Sequence, residues 1–211
     1  MQKMLMPLAA VAMVALAMSF ALAEDKAETA AAKSGATAKI GEAAPQFSLQ
    51  DQNGKTHSLA DYAGKVVVLE WFNDQCPYVV KHYSGGHMNE LAKKYADKDV
   101  VWLAINTTPD KDAEDNKKVA GEWKIDRPIL SDTTSEVARA FQAKNTPTMY
   151  VISKEGKLVY MGAIDDDNSA DPKKVETATN YVAKALDETL AGKEVSEPKT
   201  KAYGCGVKYR N

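Results

Sequence analysis

Residues 65–78, KVVVLEWFNDQCPY, form the most informative stretch of the chain. Residues 65–72 are mostly β-branched, aliphatic and aromatic, which is the pattern of a strand buried on both faces. Pro77 suits the first position of a helix, so Cys76 stands at or just before a helix N-terminus. Unpaired amides and the helix dipole favour a thiolate there, which lowers the cysteine pKa and raises its reactivity. The stretch therefore predicts a strand that leads directly to a reactive cysteine.

Cys76 also has a simpler interpretation, because cysteine often packs as a small apolar residue in a protein interior. The polar residues Asn73, Asp74 and Gln75 precede it at the end of the strand, which argues against burial. Asp74 opposes the lowering of the pKa, since a nearby negative charge disfavours a thiolate. We therefore favour a reactive, accessible cysteine over an inert buried one.

The rest of the chain alternates between strand and helix patterns. The predicted strands lie at residues 44–49, 100–106, 150–152 and 158–161, and the predicted turns lie at residues 51–55 and 154–156. Predicted helices cover residues 77–95, with a kink at Gly85-Gly86, residues 112–124 and 135–143, and a stretch from residue 175 to near Gly192. This alternation predicts an α/β fold, with a central mixed sheet flanked by helices, parallel βαβ units and an antiparallel edge.

Composition and charge exclude several classes of protein. The 211 residues include 27 Lys+Arg and 29 Asp+Glu, a formal net charge of −2, so the basic excess of a nucleic-acid binder is absent. A hydrophobic fraction of 45% excludes wholesale disorder. The two cysteines, Cys76 and Cys205, are too few for a disulfide framework or a four-cysteine metal site. The two cysteines form a single structural disulfide, form a catalytic redox pair, or are unrelated to each other.

The N-terminus predicts export. Lys3 precedes a near-continuous apolar run over residues 8–22, and Ala21-Leu22-Ala23 matches a cleavage site, as in a secretory signal. An uncleaved membrane anchor would need a longer apolar core of about 20 residues. We therefore expect a periplasmic or secreted protein without stable membrane insertion, in a compartment where cysteines meet as disulfides. The predicted domains are a signal peptide at 1–23, a flexible spacer at 24–39, a globular domain at 40–191 and a C-terminal tail at 192–211.

Several motifs carry a resemblance to a known family. They are G-x-x-A-P-x-F-x-L at residues 41–49, GKVVVL at residues 64–69 and the Cys-Pro pair at residues 76–77. Together they resemble the redoxin branch of the thioredoxin-like superfamily, which includes the alkyl hydroperoxide reductase and thiol-specific antioxidant proteins. Residues 145–148, NTPT, are similar to the thioredoxin loop whose cis-proline faces the active cysteine. The resemblance covers about residues 40–165 and implies a thioredoxin-like fold and a thiol oxidoreductase without a cofactor.

The chain departs from the patterns of thioredoxins and peroxiredoxins. Val79 stands where a thioredoxin C-x-x-C motif needs its second cysteine, so a local disulfide cannot form. Leu69 and Asn73 replace the proline and threonine of the peroxiredoxin motif, and Thr146-Pro147 stands in place of its arginine. Thiol–disulfide exchange is therefore the first hypothesis, and thiol-dependent peroxide reduction is the second. A non-catalytic binding module with a structural disulfide is the third.

The resemblance implies that Cys76 is the nucleophile, and we take Cys205 as its resolving partner. Gly204 and Gly206 flank Cys205, and their pliable backbone suits a tail that folds back over the body. A bond between the two cysteines would span 129 positions (205 − 76) and stabilise the fold by at most about 5 kcal/mol. The alternative to a redox-active pair is a permanent structural disulfide between the two cysteines.

The substrate groove opposite Cys76 is predicted from the same resemblance. Its residues are Asn73, which is expected to orient the reactants, and Pro77, Thr146 and Pro147. The expected partners are a protein disulfide or a peroxide as substrate and an external thiol reductant, with no nucleic acid.

We expect no metal site. His82 and His87 would point about 140° apart on one unbroken helix, which makes them a poor pair of metal ligands. His57 lies in the predicted hairpin and has no evident partner. The run Asp165-Asp166-Asp167 is interpreted as a solvated acidic turn rather than a site for a hard cation.

Overall fold

The structure is a computed structural model that describes residues 36–211. Its strands are β1 (Ser48–Gln50), β2 (Thr56–Ser58), β3 (Val66–Phe72), β4 (Val100–Asn106), β5 (Ile129–Ser131), β6 (Asn145–Thr146), β7 (Thr148–Ile152), β8 (Leu158–Gly162) and β9 (Cys205–Gly206). Its helices are α1 (Pro77–Ser84), α2 (His87–Ala96), α3 (Ala113–Glu122), α4 (Glu136–Phe141) and α5 (Tyr181–Leu190), with 3₁₀ turns at Leu59–Tyr62 and Pro172–Lys174.

The centre of the fold is a five-stranded sheet in the order β5-β4-β3-β7-β8. Strands β3, β4 and β5 are parallel, whereas β7 pairs antiparallel with both β3 and β8. The predicted central mixed sheet with an antiparallel edge is therefore confirmed. The predicted hairpin around residues 51–55 also forms, as the separate two-stranded sheet of β1 and β2.

Strand β3 lies in the middle of the sheet, and all seven of its residues are buried. Val66, Val68 and Phe72 belong to an apolar cluster on one face, which α1, α2 and α5 cover. The alternate residues of β3 belong to a second cluster, which α4 covers on the opposite face. A strand covered on both faces needs apolar residues at every position, which explains the continuous run in the sequence.

Glu70 is the charged exception inside β3, and its side chain is completely buried. The Tyr83 hydroxyl donates to its Oε1 at 2.7 Å, and the Trp102 indole Nε1 donates to its Oε2 at 3.0 Å. The Arg127 guanidinium lies 3.4 Å from Oε2. A buried carboxylate is tolerated only with such compensation, so this cluster ties α1 and β4 to the central strand.

The predicted helices form, with two differences in their bounds. The helix predicted at 77–95 is divided into α1 and α2 at Gly85-Gly86, where Gly86 adopts a φ of +79°. The helix predicted from residue 175 begins only at Tyr181, because the Asn180 side chain caps it by accepting from the Ala183 amide at 2.8 Å. Residue 175 instead follows the 3₁₀ turn at Pro172–Lys174.

The predicted signal peptide and most of the predicted spacer lie outside the described residues. At the end of the spacer, Ala38 is 2% exposed, and its amide donates to the Ala140 carbonyl at 2.9 Å. The packed part of the chain therefore begins before residue 40. Within residues 36–211, none of the helices has the length and apolar character required to span a bilayer.

Candidate functional site

Cys76 is presented by the turn that joins β3 to α1. The Asn73 side chain accepts a hydrogen bond from the Gln75 amide at 2.8 Å, and its carbonyl accepts one from the Cys76 amide at 3.1 Å. Cys76 is the N-cap residue of α1, and Pro77 is the first residue of the helix. The predicted place of the cysteine, at a strand-to-helix junction, is confirmed.

The expectation that Cys76 is accessible is wrong, because its side chain is only 1% exposed. Two of the polar residues before it have partners within the protein, and the polar run does not carry the cysteine into solvent. Asn73 closes the turn, and Asp74 accepts from the Lys111 ammonium at 3.2 Å. That ion pair also offsets the negative charge that would oppose a thiolate at Cys76.

The loop of residues 145–148 lies against the cysteine. The peptide bond between Thr146 and Pro147 is cis. In its neutral form the Cys76 thiol donates to the Thr146 carbonyl at 3.0 Å. The structure therefore brings together three of the residues that the sequence assigned to the site from distant positions in the chain.

The C-terminal tail brings Cys205 to the same place. Strand β9 pairs antiparallel with β6, so that Cys205 lies opposite Thr146 and Gly206 lies opposite Asn145. The Asn145 side-chain amide also donates to the Gly204 carbonyl at 3.0 Å. The tail thus covers the sulfur of Cys76, and both cysteines are free thiols.

The two thiols differ in acidity. Burial raises the pKa of Cys76, but hydrogen bonds to its sulfur, first among them the one from the Cys205 thiol, hold the pKa below its ordinary value of 9.0. Burial and the neighbouring Cys76 sulfur raise the pKa of Cys205 to about 11. The first proton therefore leaves Cys76, and Cys205 keeps its own proton to stabilise the thiolate.

A buried polar cluster beside the cysteines was missed by the sequence analysis. It consists of Lys81 and His82 of α1, Asp165 and Asp167 after β8, and Tyr203 of the tail. The expectation of a solvated acidic turn is wrong for Asp165, which is 2% exposed and lies 3.8 Å from the Lys81 ammonium.

His57 has partners, contrary to the expectation from its hairpin. It is 4% exposed, and its Nε2 lies 2.9 Å from the Asp51 carboxylate, while its Nδ1 meets the Tyr62 hydroxyl. Burial raises the pKa of Asp51, but the hydrogen bond with His57 and two backbone amides outweigh it and hold the pKa below its ordinary value of 3.8. This group fixes the β1–β2 hairpin.

The described residues hold no group of three or more histidine, cysteine, aspartate or glutamate side chains that could bind a metal ion. His82 faces Tyr203 at 3.3 Å, and His87 is the first residue of the next helix. The two histidines therefore lie on different helices.

Comparison with known proteins places the chain among redox proteins. The family model described as AhpC/TSA family matches residues 40–161. The thiol-disulfide oxidoreductase ResA of Geobacillus thermodenitrificans (strain NG80-2) is 33% identical over 119 residues, which is 56% of this chain and 66% of that protein. The chain therefore matches slightly less than two thirds of the length of this relative.

Two solved structures share more of the fold. A hypothetical protein from Sinorhizobium meliloti 1021 superposes with a TM-score of 0.73 at 26% identity, covering 82% of this chain and 96% of that one. An uncharacterized conserved protein from Geobacillus kaustophilus superposes with a TM-score of 0.68 at 31% identity, covering 82% and 93%. Neither description assigns an activity to those proteins.

Proposed function

Because the chain belongs to the AhpC/TSA family, we propose that it is a thiol–disulfide oxidoreductase with Cys76 as nucleophile and Cys205 as resolving cysteine. One observation carries this proposal. The pairing of β9 with β6 puts Cys205 opposite Thr146, and the Thr146 carbonyl accepts the hydrogen bond of the Cys76 thiol. A tail strand in this register keeps the second cysteine beside the first, although 129 positions (205 − 76) separate them.

The reaction begins at the Cys76 thiolate. It attacks one sulfur of a substrate disulfide, forms a mixed disulfide and releases the other substrate sulfur as a thiolate, which takes a proton from water. Cys205 then loses its proton and attacks the Cys76 sulfur. This step forms the Cys76–Cys205 disulfide and releases the second substrate thiol. An external thiol reductant returns both cysteines to the reduced state.

The difference in acidity supports these separate roles. A lowered pKa at Cys76 raises the fraction of that cysteine present as the attacking thiolate. A raised pKa at Cys205, about 11, keeps that thiol protonated until the mixed disulfide has removed the negative charge from Cys76. Cys76, the buried cysteine, therefore reacts first, and Cys205 reacts second.

The neighbouring residues of the proposed groove support the geometry. The Thr146 carbonyl contacts the sulfur and is followed by the cis Pro147, while Asn73 and Pro77 hold the turn and helix start that carry Cys76. The proposed partners are a protein disulfide as substrate and a thiol protein or small thiol as reductant. The name of the ResA relative, a thiol-disulfide oxidoreductase, supports this substrate class.

We further propose that the protein is exported to the periplasm or secreted. The charged, apolar and A-x-A segments of residues 1–23 support a cleaved signal peptide. Residues 24–39 would then link it to the redoxin domain at 40–191, and residues 192–211 form the tail that carries Cys205. Comparing the N-terminus of protein from whole cells and from the periplasm tests export, because cleavage exposes Glu24 as the first residue.

The test of the activity uses the reduced full chain and three substrates in parallel. A peptide disulfide, a hydroperoxide and oxidised glutathione are each added with a thiol reductant, and turnover is followed. We expect the disulfides to be reduced, Cys76→Ser to be inactive, and Cys205→Ser to accumulate a mixed disulfide that is visible by mass.

Three outcomes contradict the proposal. A Cys76–Cys205 bond that resists mild reductant makes the pair a structural staple. Full turnover in Cys205→Ser removes the tail cysteine from the mechanism. Fast turnover of the hydroperoxide, without turnover of either disulfide, makes the protein a peroxidase. Cys76 then forms a sulfenic acid, and the Cys205 thiol condenses with it to give the disulfide and water.

A further inference from the structure

Tyr203 lies two residues before Cys205 and enters the buried cluster beside α1. Its hydroxyl donates to Asp165 Oδ1 and lies 3.3 Å from His82 Nε2. Its ring packs against the ring of Tyr78, with 5.9 Å between centroids, and the Lys81 ammonium lies 5.5 Å from the ring centroid. The tail is therefore fixed to α1, the helix that begins at the reactive cysteine.

The partners of Tyr203 in this cluster are mostly buried. The side chains of Lys81, His82 and Asp165 are each at most 2% exposed. The Lys81 ammonium lies 3.8 Å from the Asp165 carboxylate, whose charge it balances, and donates a hydrogen bond to the Asp167 carboxylate at 3.0 Å. A hydrogen bond to a buried, charged carboxylate is among the stronger polar contacts in a protein.

The neutral state of His82 is consistent with its contact with the Tyr203 hydroxyl. Burial, reinforced by the positive charge of Lys81, lowers the pKa of His82 to about 3, so the ring is neutral near pH 7. The Tyr203 hydroxyl uses its proton for Asp165, which leaves its oxygen to accept from His82 Nε2. The tyrosine hydroxyl is thus both a donor and an acceptor in the cluster.

The tail needs such an anchor because β9 is only two residues long. Downstream of Cys205, the Tyr209 hydroxyl donates to the Ala143 carbonyl at 2.6 Å. Upstream, the tail is next held at residues 198–200, where the Met161 amide donates to the Pro198 carbonyl at 3.0 Å and the Ala163 amide donates to Thr200 Oγ1 at 2.9 Å. The Tyr203 contacts therefore fix the segment between Thr200 and Cys205.

We propose that Tyr203, through its hydrogen bond to the buried Asp165, is a positioning residue that holds Cys205 beside Cys76. This inference rests on the proposed function. Tyr203 acts through the backbone of the tail and sets the effective concentration of the Cys205 thiol at the Cys76 sulfur. Loss of the hydroxyl loosens the tail segment that leads to Cys205, so the intramolecular disulfide becomes less favourable while the fold persists.

The test compares Tyr203→Phe with Tyr62→Phe in the full-length mature chain. Tyr62 is the matched control, because its hydroxyl also meets a buried histidine, at the β1–β2 hairpin. Each protein is equilibrated with mixtures of reduced and oxidised glutathione, quenched with acid and analysed by mass. We expect the equilibrium constant of the Cys76–Cys205 disulfide to fall about tenfold in Tyr203→Phe, equal to about 1.4 kcal/mol, with Tyr62→Phe unchanged.

A second variant and a second readout separate positioning from simple destabilisation. Asp165→Asn removes the charge that Tyr203 binds, and we expect it to lower the same constant. In both variants the pKa of Cys76 should rise, because the hydrogen bond from Cys205 is loosened. A merely structural tyrosine would lower the urea midpoint and leave the thiol pKa and the disulfide constant unchanged.

The outcomes also distinguish this inference from the proposed function. If wild-type protein forms no reversible disulfide with glutathione, the proposed function fails. If the wild type forms it and both Tyr203→Phe and Asp165→Asn give the wild-type constant, the positioning role fails while the proposed function stands.

Discussion

Gly204 offers the sharpest test of how closely the tail must approach the cis-proline loop. A Cβ at this position would lie 2.1 Å from the Thr146 carbonyl oxygen and 2.9 Å from the carbonyl carbon. Its φ of +111° is a conformation that residues with a side chain rarely adopt. Gly206, on the other side of Cys205, has nothing within 4 Å of an added Cβ. Gly204→Ala and Gly206→Ala are therefore a matched pair.

The size of the effect follows from these distances. Since Cβ contacts below 3.0 Å essentially never occur, the tail of Gly204→Ala must move by at least 0.9 Å (3.0 − 2.1). The adjacent Cys205 moves with it, and a misplacement of about 1 Å can cost about a hundredfold in a reaction that depends on geometry. We expect the rate of closure of the Cys76–Cys205 disulfide to fall by about tenfold to a hundredfold. Gly206→Ala should close at the wild-type rate.

The assay follows disulfide closure directly. Reduced protein is mixed with a small aromatic disulfide, quenched with acid at increasing times and separated by mass into reduced, mixed-disulfide and closed species. Accumulation of the mixed disulfide in Gly204→Ala locates the defect in the second step. If Gly204→Ala closes as fast as Gly206→Ala, the tail does not need its close approach to Thr146, and the reasoning is wrong.

Three further results are expected. In Cys205→Ala we expect the pKa of Cys76 to rise, because the hydrogen bond from the Cys205 thiol is lost. Thiolate absorbance against pH measures the change, and Cys205→Ser, which keeps a donating hydroxyl, is the control. Asp51→Asn lowers the free energy of unfolding by about 1–3 kcal/mol in urea at neutral pH. Because the pKa of Asp51 in the folded protein lies below 3.8, the difference in unfolding free energy between this variant and the wild type is fully present above pH 3.8. It vanishes as the pH falls through the folded pKa, and a difference that does not depend on pH contradicts this reasoning. Glu70→Gln leaves Arg127 buried without its charge partner and costs about 3 kcal/mol of unfolding free energy, whereas an unchanged urea midpoint would show that the pair does not stabilise the fold.

The sequence predicted the elements that are defined by local pattern. The apolar run of β3 needs cover on both faces, and Pro77 can begin a helix but not continue one, so the place of Cys76 follows from short-range rules. The break at Gly85-Gly86 follows from the same rules, since Gly86 takes a positive φ that glycine alone adopts readily.

The burial of Cys76 could not be predicted in the same way. Its cover comes from Thr146 and Cys205, which are 70 and 129 positions away (146 − 76 and 205 − 76). The polar residues at the end of β3 suggested solvent, but Asn73 closes a turn and Asp74 meets Lys111. Hydrophilic side chains indicate the surface only when their partners are water, and the sequence does not show the partners.

The short strands and the buried charges share this dependence on distant contacts. Strands of two or three residues, such as β6 and β9, carry no periodicity, so only their pairing defines them. Asp165 belongs to a run of three aspartates that reads as solvated, yet it is buried because Lys81 meets it from α1. Glu70 was a usable signal, since a charge within a fully apolar strand implies a buried partner.

The cover over Cys76 has a kinetic consequence. A sulfur that is 1% exposed cannot meet an external disulfide while β9 lies on β6. Its observed rate with any outside molecule is therefore its intrinsic rate multiplied by the fraction of time that the tail is detached. Under the proposed function, a substrate also competes with Cys205 for the same edge of the cis-proline loop. Detachment of β9 is then a factor in the rate of every reaction of Cys76 with an outside molecule.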